Sequence, residues 1–285
     1  MIHGNQWTLA ECQQPSYSAT PLRRATSCCR PLARGIADMR RIRIYTPQSL
    51  NSGEITELKA DAAHHLVQVL RLKPGMQLTL FNGDGHEHSA RLLEVGKRTA
   101  RLQLLQRSET EPQPELTIHL GLGLSRGERM DFAIQKSVEL GVHTVTPLIT
   151  EHCGVRISQE RMGKRLRHWQ AVVVSACEQS GRCRLPRLED ISTLPHWLEA
   201  ADAGNGVLLD HRSSRCLDQL PRPSARVRLL IGPEGGLSKR ERLLAQRSGF
   251  TAARLGPRVL RTETAPLAAI ASIQMLWGDF AAARQ

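Results

Sequence analysis

The sequence is poor in aromatic residues and contains no long apolar run. Phe, Trp and Tyr make up only 4% of the 285 residues, within a hydrophobic total of 40%. A core must therefore consist mainly of Leu, Val, Ile and Ala. No apolar stretch reaches the roughly 18 residues that a membrane-spanning helix requires, so we expect a soluble protein. The length suits one large domain or two ordinary ones.

The residue patterns of metal sites and of nucleophilic enzymes are also missing. The seven cysteines are odd in number, and no two pairs have matching metal-ligand spacing. Neither a HExxH motif nor a nucleophile elbow is present, and we predict no metal. Reduced thiols in the cytoplasm are the simplest interpretation. Cys177 is expected in the core, and Cys183 has no neighbouring base that would activate it.

Acidic residues are too few to balance the basic ones. The chain has 39 Lys and Arg against 27 Asp and Glu, which gives a net charge of +12 and a pI near 10.0. Basic surface gains affinity for a polyanion by releasing counterions from phosphates. We therefore favour a polyanionic partner over the alternative, a generally basic and soluble protein without one.

Residues 1–38 lack the apolar periodicity of the rest of the chain. They contain no sustained apolar segment of the kind found in secretory signals. A mispredicted start, with Met39 opening the real domain, is our preferred interpretation. The alternative is a disordered or targeting extension, since Arg23, Arg24, Arg30 and Arg34 occur there with few acids.

Short strands and tight turns follow, which predict a small β-barrel over residues 39–108. Four segments alternate polar and apolar residues as half-buried strands do: Arg41–Tyr45, Gln77–Phe81, Ala90–Val95 and Ala100–Leu104. One short helix, Asp61–Leu70, is expected among them. Residues 109–115 carry two prolines and three acids, which indicates a linker.

From residue 116 to the end, strands and helices alternate, which predicts an α/β domain with a largely parallel sheet. The expected strands are Leu116–Leu120, Val145–Ile149, Gly206–Asp210 and Val227–Ile231. The expected helices are Glu128–Leu140, Glu160–Gln179, Ser238–Ser248 and Pro266–Trp277. The last is apolar nearly all round and must be buried on several sides, for which an oligomer interface is one solution.

The second of these helices is amphipathic, with an apolar stripe of Met162, Leu166, Trp169 and Val173. Its opposite face is basic and is expected to point outward, with Arg161, Lys164, Arg165 and His168.

Two loops of this region have the composition of a ligand site. The run 232–236, Gly-Pro-Glu-Gly-Gly, follows an apolar strand, where ligands bind in open α/β sheets. The run 255–265 brings Arg258, Arg261 and Glu263 together between apolar elements. Each loop has a structural alternative, a tight connection for the first and an ion pair with a helix cap for the second. Two such loops in one small domain favour a site.

A third loop, 121–130, lacks the motifs of phosphate-binding and dinucleotide-binding loops. We interpret it as a basic loop that offers Arg126 and Arg129 to RNA phosphates.

Together these segments resemble the ribosomal small subunit methyltransferase E family, a member of the SPOUT class of methyltransferases. The resemblance rests on the runs 230–238 and 255–265 and is supported by further segments: 61–66, 69–72, 135–136, 139–142, 178–182 and 277–279. It covers about Met39 to Phe280, and Leu237 departs from the phenylalanine that is commoner there.

The resemblance implies a PUA-like RNA-binding barrel over 39–108, a linker over 109–115 and a SPOUT domain with a trefoil knot over 116–285. It further implies a cytoplasmic homodimer that transfers a methyl group from S-adenosylmethionine to N3 of a uridine in 16S rRNA of the small ribosomal subunit. By the same resemblance, the cofactor-binding residues are Leu209, Ile231, Gly232, Pro233, Gly235, Leu255, Gly256, Arg258, Leu260 and Ala265.

The chemistry requires loss of the proton that uridine N3 carries at neutral pH. A cation near O2 or O4 would favour the anion, and we hypothesise that Arg261 supplies it, with Glu263 positioning Arg261 or accepting the proton. Basic residues expected to contact RNA, each with an ordinary solvated surface role as its alternative, are Arg41, Arg43, Arg71, Lys73, Arg126, Arg129 and Arg182.

Two other functions stay open at this point. One is a SPOUT methyltransferase that acts on another RNA or base position. The other is a catalytically inactive RNA-binding module, against which Arg261, Glu263 and the intact glycine-rich loop argue.

Overall fold

The computed structural model describes residues 42–59, 62–63, 66, 70–96, 98–154, 159–199 and 205–280. The predictions for residues 1–38, for Arg41 and for most of the 61–70 helix lie outside these residues. The two sheets described below belong to one compact unit, Arg41–Gln285. Among the described residues, no helix has the length and apolar character needed to cross a membrane.

The first sheet has five strands in the order β1-β3-β4-β5-β2, where β1 pairs with β3 in parallel and the other pairs are antiparallel. The strands are β1 Arg43–Tyr45, β2 Ile55–Lys59, β3 Gln77–Phe81, β4 His88–Val95 and β5 Thr99–Arg107. Burial alternates along β4 and β5, which confirms the predicted period of two. The sequence did not predict β2, which has only two apolar residues.

The second sheet has seven strands, and every pair in it is parallel. The strands are β6 Thr117–Gly123, β7 Thr144–Ile149, β8 Arg187–Leu188, β9 Ser192–Thr193, β10 Gly206–Leu209, β11 Arg226–Ile231 and β12 Phe250–Ala253. Their order is β12-β10-β11-β6-β7-β8, and β9 pairs with β7. The predicted α/β architecture with a largely parallel sheet is confirmed.

Five described helices cover this second sheet, and four of them begin and end within two residues of their predicted bounds. They are α1 Glu128–Glu139, α2 Gln159–Ser180, α3 Leu194–Glu199, α4 Lys239–Arg247 and α5 Thr264–Trp277. Leu229 of β11 packs with the core that α1, α2 and α5 share, whereas Leu230 packs with the core of α3 and α4. Successive strand residues point to opposite faces, so the sheet lies between two helical layers.

The predicted burial of Cys177 on α2 and of helix α5 can be compared with the structure. Cys177 on α2 is fully buried, as expected, and burial raises the pKa of its thiol to about 11. Helix α5 buries one side, including Ile270, Ile273 and Trp277. Its opposite side stays open, with Met275 exposed by 55%. Burial of α5 on several sides therefore does not occur within one chain.

Arg43 and Arg182 join the two sheets. The Arg43 side chain is only 9% exposed, forms an ion pair with Glu87 and donates from Nη2 to the Arg182 carbonyl oxygen at 2.9 Å. Arg182 donates from Nη1 to the carbonyl oxygens of Val138 and Val142 at 2.9 and 2.7 Å, and burial lowers the pKa of its guanidinium. Both guanidinium groups therefore have protein acceptors, and contact of these two arginines with RNA stays a prediction.

Carboxylates complete the same interface. Glu178 Oε1 accepts a hydrogen bond from the Tyr45 backbone N–H at 3.0 Å. Glu111 Oε2 accepts from the backbone N–H groups of Cys183 and Arg184, both at 2.9 Å. Polar groups of the first sheet and of the segment 109–115 therefore bond directly to the end of α2 and to the residues that follow it.

Replacing Arg43 with Met is expected to destabilise the protein by about 3 kcal/mol, because the largely buried Glu87 carboxylate loses its cationic partner. The double variant Arg43→Met, Glu87→Met should recover most of that loss, since it leaves no unpaired charge. Urea unfolding of both variants measures the difference. A double variant whose loss equals the sum of the two single losses would contradict the argument.

Stability should also fall as the pH drops from about 6.5 towards 4. His119 Nε2 accepts from Trp197 Nε1 at 3.3 Å and lies 2.8 Å from Thr146 Oγ1. Burial, then Arg228 and Arg226, lower the pKa of His119 to about 4. The unfolded chain therefore binds the proton first, and the stability present above pH 6.5 is lost as the pH approaches 4.

Denaturant midpoints between pH 4 and 7 test this expectation in a His119→Gln variant, which keeps an acceptor but cannot be protonated. Its loss of stability on acidification should be smaller than that of the wild type. The loss should not vanish, because burial and Arg182 lower the pKa of His143 to about 4 as well. Equal pH profiles for the two proteins would exclude a contribution from His119.

Candidate functional site

A cleft of about 680 Å³ lies where β10, β11 and β12 end. The carboxyl ends of parallel strands meet at one edge of a sheet, where open α/β folds bind their ligands. Three connections line the cleft, namely 208–212 after β10, 231–237 after β11 and 255–265 between β12 and α5.

The glycine-rich loop 232–236 turns the chain from β11 into α4 within a few residues. A capping box begins α4, since Ser238 Oγ accepts from the Glu241 N–H at 3.1 Å and Glu241 Oε2 accepts from the Ser238 N–H at 2.8 Å. Gly236 has a φ of 65°, a conformation that side chains disfavour. A Cβ added to Gly232 would lie 2.9 Å from the Leu237 nitrogen. The turn therefore requires glycine for its backbone geometry.

The loops after β6 and β7 pack closely against this turn. A Cβ on Gly123, at the end of β6, would lie 2.4 Å from the Pro233 nitrogen. His152 Nδ1 lies 3.1 Å from the Gly235 carbonyl oxygen, to which it donates, and a Cβ on Gly235 would lie 2.8 Å from the His152 Cβ. Close packing between the loops after β6, β7 and β11 therefore sets the shape of the cleft wall.

Glu234 links the glycine-rich loop to the start of α1. Its Oε1 accepts from the Arg126 backbone N–H at 3.2 Å and from Arg129 Nη1 at 3.3 Å. Burial raises the pKa of Glu234, but hydrogen bonds from its own N–H, the Arg126 N–H and Arg129 outweigh it, so the pKa lies below its ordinary value. Glu234 therefore stays ionised and holds Arg129 at the cleft.

The loop between β12 and α5 begins with a crossing of two connections. The Arg254 carbonyl accepts from the Leu217 N–H at 3.1 Å, and the Arg254 N–H donates to the Arg215 carbonyl at 2.9 Å. The loop then passes along the cleft to α5, whose first N–H groups, those of Thr264 and Ala265, donate to the Arg261 carbonyl. The chain thus reaches α5 by way of the carboxyl ends of the strands.

Nine of the ten predicted cofactor-binding residues line the cleft. They are Leu209, Ile231, Gly232, Pro233, Gly235, Leu255, Arg258, Leu260 and Ala265. Gly256, the tenth, does not line it and has a φ of 69° in the turn after Leu255.

Arg261 and Glu263 line the same cleft. Neither side chain forms a hydrogen bond or ion pair with any residue that the structure describes, and Glu263 occupies the N-cap of α5 without capping it. The alternative of a structural ion pair with a side-chain cap is therefore not observed in this part of the chain.

Sequence reasoning missed the polar cluster directly after β10. Asp210, whose side chain is 13% exposed, lies 3.6 Å from Arg212 Nη1 and 3.4 Å from Arg242 Nε. Asp210 Oδ1 also accepts from the Arg212 backbone N–H at 3.0 Å. The rule that ligands bind beyond the carboxyl ends of strands applies to β10 as it does to β11, and it would have identified this cluster.

The cleft combines an apolar slot with a basic mouth. The slot is formed by Leu209, Ile231, Leu255 and Leu260, which pack against the main core. Five arginines face three carboxylates around it; the arginines are Arg129, Arg212, Arg242, Arg258 and Arg261, and the acids are Asp210, Glu234 and Glu263. Such a site suits a flat uncharged group inside and a polyanion outside.

The remaining basic residues predicted to contact RNA are dispersed. Arg71 and Lys73 are exposed beside the first sheet. Arg126 donates from Nε and Nη2 to the Gly154 carbonyl oxygen at 3.2 and 3.0 Å, which ties the loop before α1 to the loop after β7. Arg129 is the predicted RNA residue that lines the cleft itself.

Comparison with known protein families gives one match for each of the two sheets. The RNA methyltransferase domain family matches residues 111–274, and the RNA methyltransferase PUA domain family matches residues 58–105. Ribosomal RNA small subunit methyltransferase E of Buchnera aphidicola subsp. Schizaphis graminum is 35% identical over 83% of this chain and 97% of its own length. The enzyme of the same name from Bacillus subtilis is 29% identical over 82% and 96%.

Solved structures extend the similarity to three dimensions. A methyltransferase from Legionella pneumophila, in complex with S-adenosylmethionine, is 41% identical with a TM-score of 0.82. A ribosomal RNA small subunit methyltransferase E from Neisseria gonorrhoeae, bound to S-adenosylmethionine, is 40% identical with a TM-score of 0.79. Each match covers 85% of this chain and 100% of the other. On this evidence the chain belongs to the ribosomal RNA small subunit methyltransferase E family.

Proposed function

We propose that this protein transfers a methyl group from S-adenosylmethionine to N3 of a uridine in 16S rRNA of the small ribosomal subunit. The observation that carries the proposal is the cleft at the carboxyl ends of β10, β11 and β12, where an apolar slot opens into a mouth with five arginines. Two similar solved structures contain S-adenosylmethionine.

The residues of the cleft fit this cofactor. A volume of about 680 Å³ lies within the range of small-molecule sites. Leu209, Ile231, Leu255 and Leu260 provide apolar walls for a flat adenine, and Gly232 carries no Cβ that would displace the loop 232–237 beside them. Pro233, Gly235, Gly256, Arg258 and Ala265 complete the proposed binding set. When bound, S-adenosylmethionine supplies an electrophilic methyl group.

We assign Arg261 to stabilisation of the uridine anion. Its side chain is exposed at the cleft and has no carboxylate partner among the described residues, so its charge is not neutralised by the protein. A fixed cation beside O2 or O4 favours loss of the N3 proton. Because Glu263 makes no ion pair with Arg261 among these residues, we assign Glu263 the role of proton acceptor.

We propose the following domain division: a PUA-like RNA-binding domain over 39–108, a linker over 109–115 and a SPOUT domain with a trefoil knot over 116–285. The crossing at Arg254 supports the knot, since the chain passes there against the connection that joins β10 to β11. Knots are rare in proteins, so a knot at this crossing would distinguish the chain from ordinary α/β folds.

We also propose that the protein works as a homodimer in the cytoplasm. Three large apolar side chains are exposed on α1, on the cleft loop and on α5, namely Phe132 by 43%, Val259 by 72% and Met275 by 55%. A contiguous exposed apolar surface marks an association site, and helices α1 and α5, which carry Phe132 and Met275, pack against each other. Because Val259 lies in the cleft loop, a partner subunit that covers it would complete the site.

Mapping of the modified nucleotide tests the proposed activity. The protein is incubated with labelled S-adenosylmethionine and either assembled small subunits or naked 16S rRNA. Label at uridine N3 of 16S rRNA is the expected result. Label at another position or in another RNA would indicate a different SPOUT activity, and cofactor binding without transfer to any RNA would indicate an inactive binding module.

Replacement of Arg261 by Ala is expected to lower the methylation rate about 100-fold or more, the usual effect of removing one charge-stabilising group. Affinity for S-adenosylmethionine should stay unchanged, and Arg261→Lys should recover part of the rate. Single-turnover methylation and equilibrium cofactor binding measure the two effects. Arg247→Ala, at the end of α4, is the matched control. Wild-type rates in Arg261→Ala would rule out its proposed role.

Replacement of Gly232 by Ala is expected to weaken cofactor binding by about 10-fold or more, because the added Cβ displaces the backbone of the glycine-rich loop. Gly163→Ala is the control, since its Cβ meets no atom closer than 3.6 Å and Ala favours the α2 helix. Calorimetric titration with S-adenosylmethionine compares them. Unchanged binding in the Gly232 variant would show that this loop does not hold the cofactor.

A further inference from the structure

The N-terminal third of α2 carries a cluster of cations that the proposed reaction does not use. Arg161, Lys164, Arg165 and His168 occur at spacings that place them on one side of a helix, and Arg167 lies beside them. Together these five residues form the α2 basic face. It spans about 10 Å along the helix axis. Its buried counterpart, with Trp169 and Val173, packs into the core.

His168 of the α2 basic face pairs with Asp131, whereas its other four cations have no carboxylate partner among the described residues. By contrast, five exposed arginines elsewhere lie 3.0 to 3.6 Å from a carboxylate; these are Arg101, Arg107, Arg187, Arg222 and Arg240. Among the residues that the structure describes, Arg161, Lys164, Arg165 and Arg167 form no ion pair. Glu160 supplies an acid in the first turn of α2, but it is not paired with these residues either. Unneutralised charge of one sign attracts a polyanion.

The α2 basic face lies at the same edge of the sheet as the cleft. Residue Arg182, just after the C-terminal end of α2, bonds to Val142, which precedes β7. The N-terminal end therefore lies at the edge where β7 ends. The segment there contacts the cleft wall, since His152 touches Gly235 and Arg126 binds the Gly154 carbonyl oxygen.

Asp131 fixes the α2 basic face relative to the cleft. Its Oδ2 lies 2.8 Å from His168 Nε2, and its Oδ1 accepts from Trp169 Nε1 at 3.0 Å. Asp131 stands two residues after Arg129, which lines the cleft and binds Glu234. A short chain of polar contacts thus connects the glycine-rich loop, the start of α1 and α2.

We propose that the α2 basic face is a docking surface for the phosphate backbone of the RNA substrate, next to the mouth of the cleft. The proposal rests on the proposed function, because it concerns the RNA that presents its uridine to that cleft. Lys and Arg side chains bind phosphates without regard to sequence. The surface therefore orients the RNA, and base selection stays with the cleft.

The test compares two variants of the full-length protein that each lose four positive charges. The first combines Arg161→Gln, Lys164→Gln, Arg165→Gln and Arg167→Gln, which keeps good helix formers in α2. The control combines Arg187→Gln, Arg222→Gln, Arg226→Gln and Arg247→Gln. These four arginines are exposed at the ends of elements on the opposite edge of the sheet.

Binding to 16S rRNA and to assembled small subunits is measured between 50 and 200 mM salt, with cofactor affinity as a check on folding. The first variant should bind RNA about 10-fold or more weakly at 100 mM salt, and its salt slope should fall by about 3. Its KM for RNA should rise while kcat at saturating RNA and cofactor affinity stay at wild-type values. The control should keep its affinity within about 2-fold, since its charges lie more than a Debye length from the RNA.

Three results would overturn the proposal. They are a wild-type salt slope in the first variant, an equal loss in the control, or a loss confined to assembled subunits, which would mean that the surface docks on a ribosomal protein. Failure of the proposed function would be seen in a different measurement. The wild-type protein would then transfer no methyl group to RNA, and this result does not depend on how the variants bind RNA.

Discussion

The parallel pairing of β11 with β6 on one side and β10 on the other is the constraint on which the site depends. Parallel neighbours require a crossover after each strand, so every strand of this sheet ends at the same edge. The carboxyl-terminal halves of β6 and β11 are buried and carry no charged side chain. Charged residues and the glycine-rich run 232–236 lie in the connections that follow the strands. The cleft is the place where three such connections meet.

Most of the architecture could be predicted because long elements carry their own periodicity. Helices α1, α2, α4 and α5 have clear apolar stripes or caps, and their observed bounds differ from the predicted ones by two residues or fewer. Several short elements were missed, among them β2, β8, β9 and α3, because so few residues show no clear period. Family resemblance supplied the ten residues predicted to bind the cofactor, nine of which line the cleft, whereas spacing alone indicated only that the two loops could form a site.

Charged residues were harder to assign than apolar ones. A basic residue in a sequence has the same appearance whether it lies on a free surface, in an ion pair or between two sheets. The sequence did not predict that Arg43 and Arg182 meet where the two sheets join, because no local pattern reveals which surfaces meet after folding. Arg161 and Lys164 were regarded as ordinary solvated residues. Only their lack of partners, seen in the structure, distinguishes them from paired arginines elsewhere.

The polar interface between the two sheets has a consequence for the shape of the whole molecule. Apolar surfaces can slide past one another with little change in energy, but the hydrogen bonds from Arg43 to the Arg182 carbonyl oxygen and from the Tyr45 N–H to Glu178 depend on distance and direction. A small rotation of one sheet against the other would break these bonds, at a cost of about 1–3 kcal/mol each. The angle between the sheets is therefore sharply defined. A partner that touches both sheets meets a surface of fixed curvature, to which its own shape must conform.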